Sequence, residues 1–395
     1  MGAHARNALL AVIVGAVFLD TLAYGMIVPM LPSLGRLLGF GQTGAGVVLA
    51  SYAAGIGLGT PAAGLAIRRW GDRLPLLIGV GGLTLSLILF VVATDLVTIL
   101  IARTLQGAAS GTIWTTGLTA VADRYPARQR GPMMGSIMAA FAIGLMAGPP
   151  FGGFASDWLG PRLAFTAPGA FGIVLTVTAV ATVRLLSRRM APGPVPAAQL
   201  LRDPSLLGLA VVVAAVAAVM GLLEPTLPLY LEQRFGTEPS TIGVLFGLVA
   251  LALAIGSPIA GRCAERVGAV STIRWAAYAL VVLLPLFALA PGALWTAPVF
   301  AATGLACAAA LAPVLPGMAE RVDAHGGRSY AVAYALFNLA FALGLMVGPL
   351  AGAALASNLG LLPTLLLTAG LLAAGTAGMD CLALARRHNP ANGKQ

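Results

Sequence analysis

The sequence reads GLMAGPPFGG at residues 144–153 and GLMVGPLAGA at residues 344–353, each inside a long apolar run. The likeness of the two says that the chain is built twice. In each copy glycines recur at four-residue spacing, Gly144, Gly148 and Gly152 in the first and Gly344, Gly348 and Gly352 in the second. One helix face then carries no side chains, and a neighbouring helix approaches it to backbone contact. Pro149 and Pro349 remove a backbone N–H and bend the helix at that point. The stretch therefore predicts a packing seam set at a hinge, once per half; the plainer use of the same glycines is a small-residue packing face alone.

Composition fixes the setting of these seams. Of 395 residues 59% are hydrophobic and 9% charged, with a mean hydropathy of +0.93, and a water-soluble domain does not cover itself with so few charges. The net charge of +10 does not indicate nucleic acid, because the arginines fall in short clusters between apolar runs of about 20 residues, each long enough to span a bilayer. Cys263, Cys307 and Cys381 are scattered and odd in number, which points to neither a disulfide framework nor a metal site. All but one of the basic residues are arginine, Lys394 being the exception, and the chain is rich in Ala and Gly, as in GC-rich bacterial genomes.

The first apolar run, 8–34, is too long for a signal-peptide core and lacks a small-residue cleavage site, so it reads as a retained span. Further spans are predicted at 43–67, 74–94, 96–122, 131–156 and 163–186. The stretch 187–204 holds four prolines with Arg188, Arg189 and Arg202 and reads as a linker in water. Six more spans follow at 205–232, 240–260, 271–291, 294–319, 329–356 and 360–385. The expectation is an all-α polytopic membrane protein with 12 transmembrane helices in two pseudo-symmetric six-helix halves, 1–186 and 205–395, joined by the linker 187–204. Positive residues of short loops stay on the cytoplasmic side. With the N-terminus inside, 19 of the 23 basic residues fall in cytoplasmic segments and Arg36, Arg103, Arg162 and Arg234 do not, so both termini are expected in the cytoplasm.

The repeat continues beyond the glycine stretches. Pro29-Met-Leu-Pro32 returns as Pro225-Thr-Leu-Pro228, Gly64 to Gly71 as Gly261 to Gly268, and Ala122-Asp-Arg124 as Ala319-Glu-Arg321. Two parallel halves imply a pseudo-twofold axis along the membrane normal and a cavity between them near the midplane, where function should sit.

Of 13 carboxylates, only Asp20 and Glu224 fall well inside predicted spans. A charge at the centre of a spanning helix costs about 2.5–3.5 kcal/mol on insertion scales, so such groups face a wet cavity and mark substrate or ion paths. A carboxyl there holds a proton at one stage and a cationic substrate at another, which is antiport; the alternative is a protonated carboxyl hydrogen-bonded to backbone between helices. Tyr24 shares a helix face with Asp20 and is either a second ligand or core packing. Arg103, in Arg103-Thr-Leu-Gln106-Gly107, either stabilises a deprotonated carboxylate or snorkels to the interface. His4, His325 and His388 lie outside the spans, so a histidine relay is not expected.

These residues together resemble the major facilitator superfamily over nearly the whole chain. Gly64-Leu-Ala to Arg69-Trp-Gly71-Asp72-Arg73 looks like its loop 2–3 motif, Arg103 to Gly107 with Gln106 its span-four motif, and GLMAGPPFGG its span-five motif associated with antiporters. Phe18-Leu-Asp20, Val28 to Pro32, Leu201-Arg-Asp-Pro204 and Leu223 to Pro228 resemble the branch of vesicular monoamine and acetylcholine transporters. The resemblance implies that Asp20 and Glu224 are amine-binding and proton-coupling carboxylates. It also places Tyr52 of span two opposite Asn338 of span eleven, where that branch has a lysine and an aspartate; Phe341 of the same span is counted with the candidate substrate-binding residues. Departures include Arg68, where the loop motif usually has an aspartate, so that the latch between halves is altered. Leu311 stands where the branch has a span-ten aspartate. The loop after span one is short and the chain has no Asn-x-Ser/Thr sequon, which argues against a vesicle membrane.

The expected function is a proton-coupled antiporter of a bacterial cytoplasmic membrane, exporting small, often cationic amphiphilic compounds such as amines and drugs by alternating access. It is expected to act as a monomer in the lipid bilayer, with protons as coupling ion and without metal, cofactor or nucleic acid. The rival within transport is uptake or facilitated passage of a neutral small molecule. An enzyme would need a nucleophile and base or a metal constellation inside the spans, and the sequence supplies none.

Overall fold

The computed structural model describes residues 3–125, 127–184, 202–324 and 330–388. The expected linker 187–204 lies outside the described residues except for 202–204. The described chain is helical: α1 (Ala3–Leu38), α2 (Gln42–Trp70), α3 (Arg73–Val92), α4 (Leu96–Arg124), α5 (Ala127–Leu159) and α6 (Thr166–Arg184), then α7 (Pro204–Phe235), α8 (Pro239–Val267), α9 (Ala269–Leu289), α10 (Ala297–Leu311), α11 (Val314–Ala324), α12 (Tyr330–Leu359) and α13 (Leu361–His388). Among the described residues 11 segments are long and apolar enough to cross a membrane, and Leu361–Ala377 of α13 is a shorter apolar helix.

The predicted spans match these helices, with one correction. Span ten, expected unbroken over 294–319, is divided between α10 and α11 at Ala312 and Pro313. Proline has no N–H to give to the preceding turn and its ring crowds the carbonyl four residues back, so the ladder breaks there. Elsewhere helix ends follow local chemistry. The Asp95 carboxylate accepts the Thr98 N–H at 2.8 Å to cap α4, and Asp203 accepts the Ser205 N–H at 2.8 Å at the start of α7, with Pro204 at the first helical position.

The two halves follow the same plan. In the first, α1 packs along α5, α2 and α3 along α4, and α3 along α6; in the second, α7 packs along α12, α8 and α9 along α10, and α9 along α13. Both α2 and α8 stop at a glycine with positive φ, Gly71 at 75° and Gly268 at 92°, where an L side chain would be strained. Between the halves α5 lies on α8, α2 on α12, and α1 on α7 and α8.

The glycine seams lie inside the halves, one in each. Gly144, Gly148 and Gly152 face α1 of their own half, and Gly344, Gly348 and Gly352 face α7 of theirs. A Cβ on Gly148 would stand 2.6 Å from the carbonyl oxygen of Leu22 and 3.1 Å from Cα of Gly25. The prolines, not these glycines, reach across the halves. Pro149 touches Gly25 of α1 with its ring, while its carbonyl lies against Gly243 of α8. Pro349 repeats this, ring on Gly221 of α7 and carbonyl against Gly46 of α2. The duplication read in the sequence is thus duplicated in contact.

Arg68, Arg69, Arg262 and Arg266 end α2 and α8 at one face of the bundle, called the basic face below. The inter-half contacts gather toward the opposite face: the proline seams, an ion pair between Arg36 of α1 and Glu232 of α7, and a hydrogen bond from the Ser240 N–H of α8 to the Asp157 carboxylate of α5 at 3.0 Å. Toward the basic face the same helices carry exposed apolar side chains, among them Leu58, Met138, Ile255 and Leu339. The contacts named between the halves thus lie toward the face opposite the basic one.

The loop 2–3 motif serves its own half in this arrangement. Asp72, buried, forms a two-pronged ion pair with buried Arg124 at the end of α4, fixing the α2–α3 turn, at the start of Arg73's helix, to α4. The Arg69 guanidinium lies over the Trp70 ring at 5.6 Å from its centroid, and a Cβ on Gly64 would meet open space.

Candidate functional site

Asp20 lies at the middle of α1 and is wholly buried. Its carboxylate accepts a hydrogen bond from the Ser110 hydroxyl of α4 at 2.5 Å and lies 3.4 Å from the Tyr52 hydroxyl of α2, which also meets Ser110 at 3.0 Å. This clustering depends on the close crossing of α2 and α4, where Gly107 lies directly against the carbonyl of Tyr52 and Gly55 against that of Thr104. A side chain at either glycine would push Tyr52 away from Asp20.

Glu224 lies on α7 in the other half, 9% exposed. The Tyr24 hydroxyl of α1 reaches across to it, 2.8 and 2.9 Å from its two oxygens. The rings of Tyr24 and Tyr52 are 4.8 Å apart, and the fully buried Arg103 guanidinium stands over both, 5.3 and 4.8 Å from their centroids. It does not snorkel. One N–H of Arg103 donates to the Gln106 side chain at 2.8 Å, while Nε and a terminal nitrogen have no hydrogen-bond partner among the described residues. The face of an aromatic ring attracts a cation, which lets the guanidinium sit there without a carboxylate against it. The polar core is thus two carboxylates, one per half, each on a tyrosine hydroxyl, with one cation held over the two tyrosine rings.

Two small adjoining pockets of about 50 and 40 Å³ open on this core. Glu224 lines both, with Met220, Phe246 and Val249; Tyr24, Leu145 and Pro149 line the first, and Phe300 and Thr303 the second. Asp20 lines neither, standing behind Tyr52 and Ser110. Such volumes hold a few water molecules, not an organic substrate.

One expected pairing is not formed. Tyr52 and Asn338 do not meet: the Tyr52 hydroxyl turns into its own half, and Asn338 is exposed. The antiparallel crossing of α2 and α12 sets Gly46 against Ala353 and packs Ala53 with Leu345, which leaves Asn338 about two turns, ~10 Å, nearer the basic face than Tyr52. Phe341 packs beside Ala53 and Leu345 and stacks on Phe337 at 6.3 Å, outside both pockets. Ser110 and Thr303 were not anticipated, because no sequence period marks which hydroxyl faces a carboxylate on another helix.

The family model described as Major Facilitator Superfamily matches residues 13–331 and again 209–395. The synaptic vesicular amine transporter of Bos taurus is 29% identical over 327 residues, 80% of this chain and 61% of that protein. The human vesicular acetylcholine transporter is 28% identical over 324 residues, with the same two shares. The chain spans about 61% of the length of these two relatives. A bacterial homolog of the human lysosomal transporter Spinster, solved in an inward-facing and unoccupied conformation, superposes with a TM-score of 0.78 at 16% identity over 95% of this chain and 96% of that one. The nucleoside transporter NupG superposes at 0.73 with 13% identity, over 94% and 98%. These are transporters, not enzymes, and their fold is the duplicated helical bundle described above. With the repeated proline seams, the paired buried carboxylates and the family match over both halves, the chain belongs to the Major Facilitator Superfamily.

Proposed function

We propose that the protein is a proton-coupled antiporter that exports small, often cationic amphiphilic compounds, with Glu224 as the site where proton and substrate exchange. The observation that carries this reading is the charge balance of the buried core. Asp20 and Glu224 share one buried cation, Arg103. If Arg103 offsets one carboxylate, the other needs a proton or a cationic substrate, because an uncompensated buried charge is costly. Glu224 is the carboxylate that lines the pocket, whereas Asp20 is closed in by Ser110 and Tyr52, so the exchange is assigned to Glu224. Tyr24 occupies Glu224 while the pocket is contracted, and an arriving cation takes its place.

The similarity to vesicular amine and acetylcholine transporters supports a cationic substrate. We assign the basic face to the cytoplasm by the distribution of arginines, with both termini on that side of a bacterial cytoplasmic membrane, and take the two halves to rock as units in a monomer, joined by the segment 187–204. Addition of an organic cation to weakly buffered purified protein should release protons, and Glu224→Gln should abolish the release. Cation binding by the wild-type protein without any proton release would refute the coupling.

A further inference from the structure

Thr303 of α10 is 1% exposed, lines the pocket beside Glu224, and its hydroxyl has no hydrogen-bond partner among the described residues. This sets it apart from Thr84, Thr104, Thr112, Thr115, Thr226 and Thr364, whose hydroxyls donate to the carbonyl four residues back. That back-bond is the ordinary way a threonine satisfies itself within an apolar helix. Thr116 also lacks a partner, but it lines neither pocket. A buried hydroxyl left unsatisfied is costly unless something else engages it, and the space in front of Thr303 is the substrate pocket.

Glu224 and Thr303 belong to the same half, on α7 and α10, so rocking of the halves leaves their separation unchanged. Between them the wall is Met220, Leu223, Phe246, Val249 and Phe300, an apolar and partly aromatic surface. We propose that Thr303 is a specificity-determining residue: its hydroxyl binds a hydroxyl or carbonyl oxygen at the far end of an apolar amine whose ammonium group sits on Glu224. This rests on the reading of Glu224 given above. It narrows the substrate class to amines with one polar group beyond an apolar body, because a site built to hydrogen-bond a group rejects the analogue that lacks it.

The test compares phenethylamine with its ring-hydroxylated form, tyramine, by equilibrium binding to the purified full chain. The wild-type protein should prefer tyramine, and Thr303→Val, which keeps the side chain's shape, should erase about tenfold of that preference while leaving phenethylamine binding within twofold. Thr303→Ser, which keeps the hydroxyl, should retain it, and it serves as the folded comparison should the valine variant not accumulate. Absence of a preference in the wild type, equal effects of Thr303→Val on both amines, or loss of the preference in Thr303→Ser would each overturn the inference. Glu224→Gln should weaken both amines together; unchanged binding of both in that variant would instead overturn the reading of Glu224 itself.

Discussion

The hydroxyl of Tyr24 on α1 stands 2.8 and 2.9 Å from the two carboxylate oxygens of Glu224 on α7, so a side chain of one half occupies the pocket-lining acid of the other. The same tyrosine ring lies under Arg103 and against Tyr52. Movement of Tyr24 therefore links the pocket acid to the cluster that holds Asp20. If a substrate cation must displace this hydroxyl, Tyr24→Phe removes the competitor and keeps the ring. Affinity for an organic cation should rise three- to tenfold in equilibrium binding, in keeping with a hydrogen bond worth about 0.5–1.5 kcal/mol. Weaker binding would make Tyr24 a ligand of the substrate rather than its rival.

A second prediction separates glycines that hold a half together from those at which the halves meet. Gly148→Ala sets a methyl group against the backbone of α1, inside one half, and should lower the melting temperature in detergent by several degrees. Gly243→Ala sets one against Pro149 and Pro150 of the other half. If the halves part there during the proposed cycle, it should spare the melting temperature while slowing transport at least tenfold. Equal thermal effects would mean that both seams are structural.

The start of α8 is held from the other half. Its own capping-position residue, Glu238, makes no side-chain cap bond, and the Ser240 N–H donates instead to Asp157 of α5. A side-chain cap is worth about 0.5–2 kcal/mol. Asp157→Ala should therefore speed hydrogen exchange at the Ser240 amide by roughly 2- to 30-fold, as the face opposite the basic one opens more often. Unchanged exchange would place the closure of that face elsewhere.

At the basic end the Asp72–Arg124 pair is buried on both sides. Asp72→Asn leaves a buried guanidinium without its carboxylate and should cost about 3–5 kcal/mol, while Asp72→Asn with Arg124→Gln should recover part of it. Thermal unfolding of the two single variants and the double variant measures the coupling, and additive losses would show that the pair contributes little.

Much of this architecture is legible in the sequence because membrane physics leaves it little choice. Apolar runs of spanning length must be helices, and a repeated Gly-x-x-x-Gly-Pro stretch must be a close contact. Asp20 and Glu224 stand out because charge in a span is costly. What the sequence leaves open is which helix each group meets. Gly148 faces α1 and not the partner half because crossing geometry, not spacing, selects the neighbour. Tyr52 turns to Asp20 and Ser110 because Gly107 lets α2 and α4 cross at that depth, a contact the comparison of Tyr52 with Asn338 does not contain. The division of span ten at Pro313 is legible from proline chemistry, yet the apolar run masks it.

The central claim is that Glu224 exchanges a proton for a substrate cation. It is tested most directly in proteoliposomes carrying wild-type protein or Glu224→Gln, with an imposed pH gradient and a labelled organic cation. The wild-type protein should accumulate the cation on the acidic side, while Glu224→Gln, matched for yield and monodispersity, should show accumulation at background. Gradient-driven accumulation by Glu224→Gln at the wild-type rate would contradict the account.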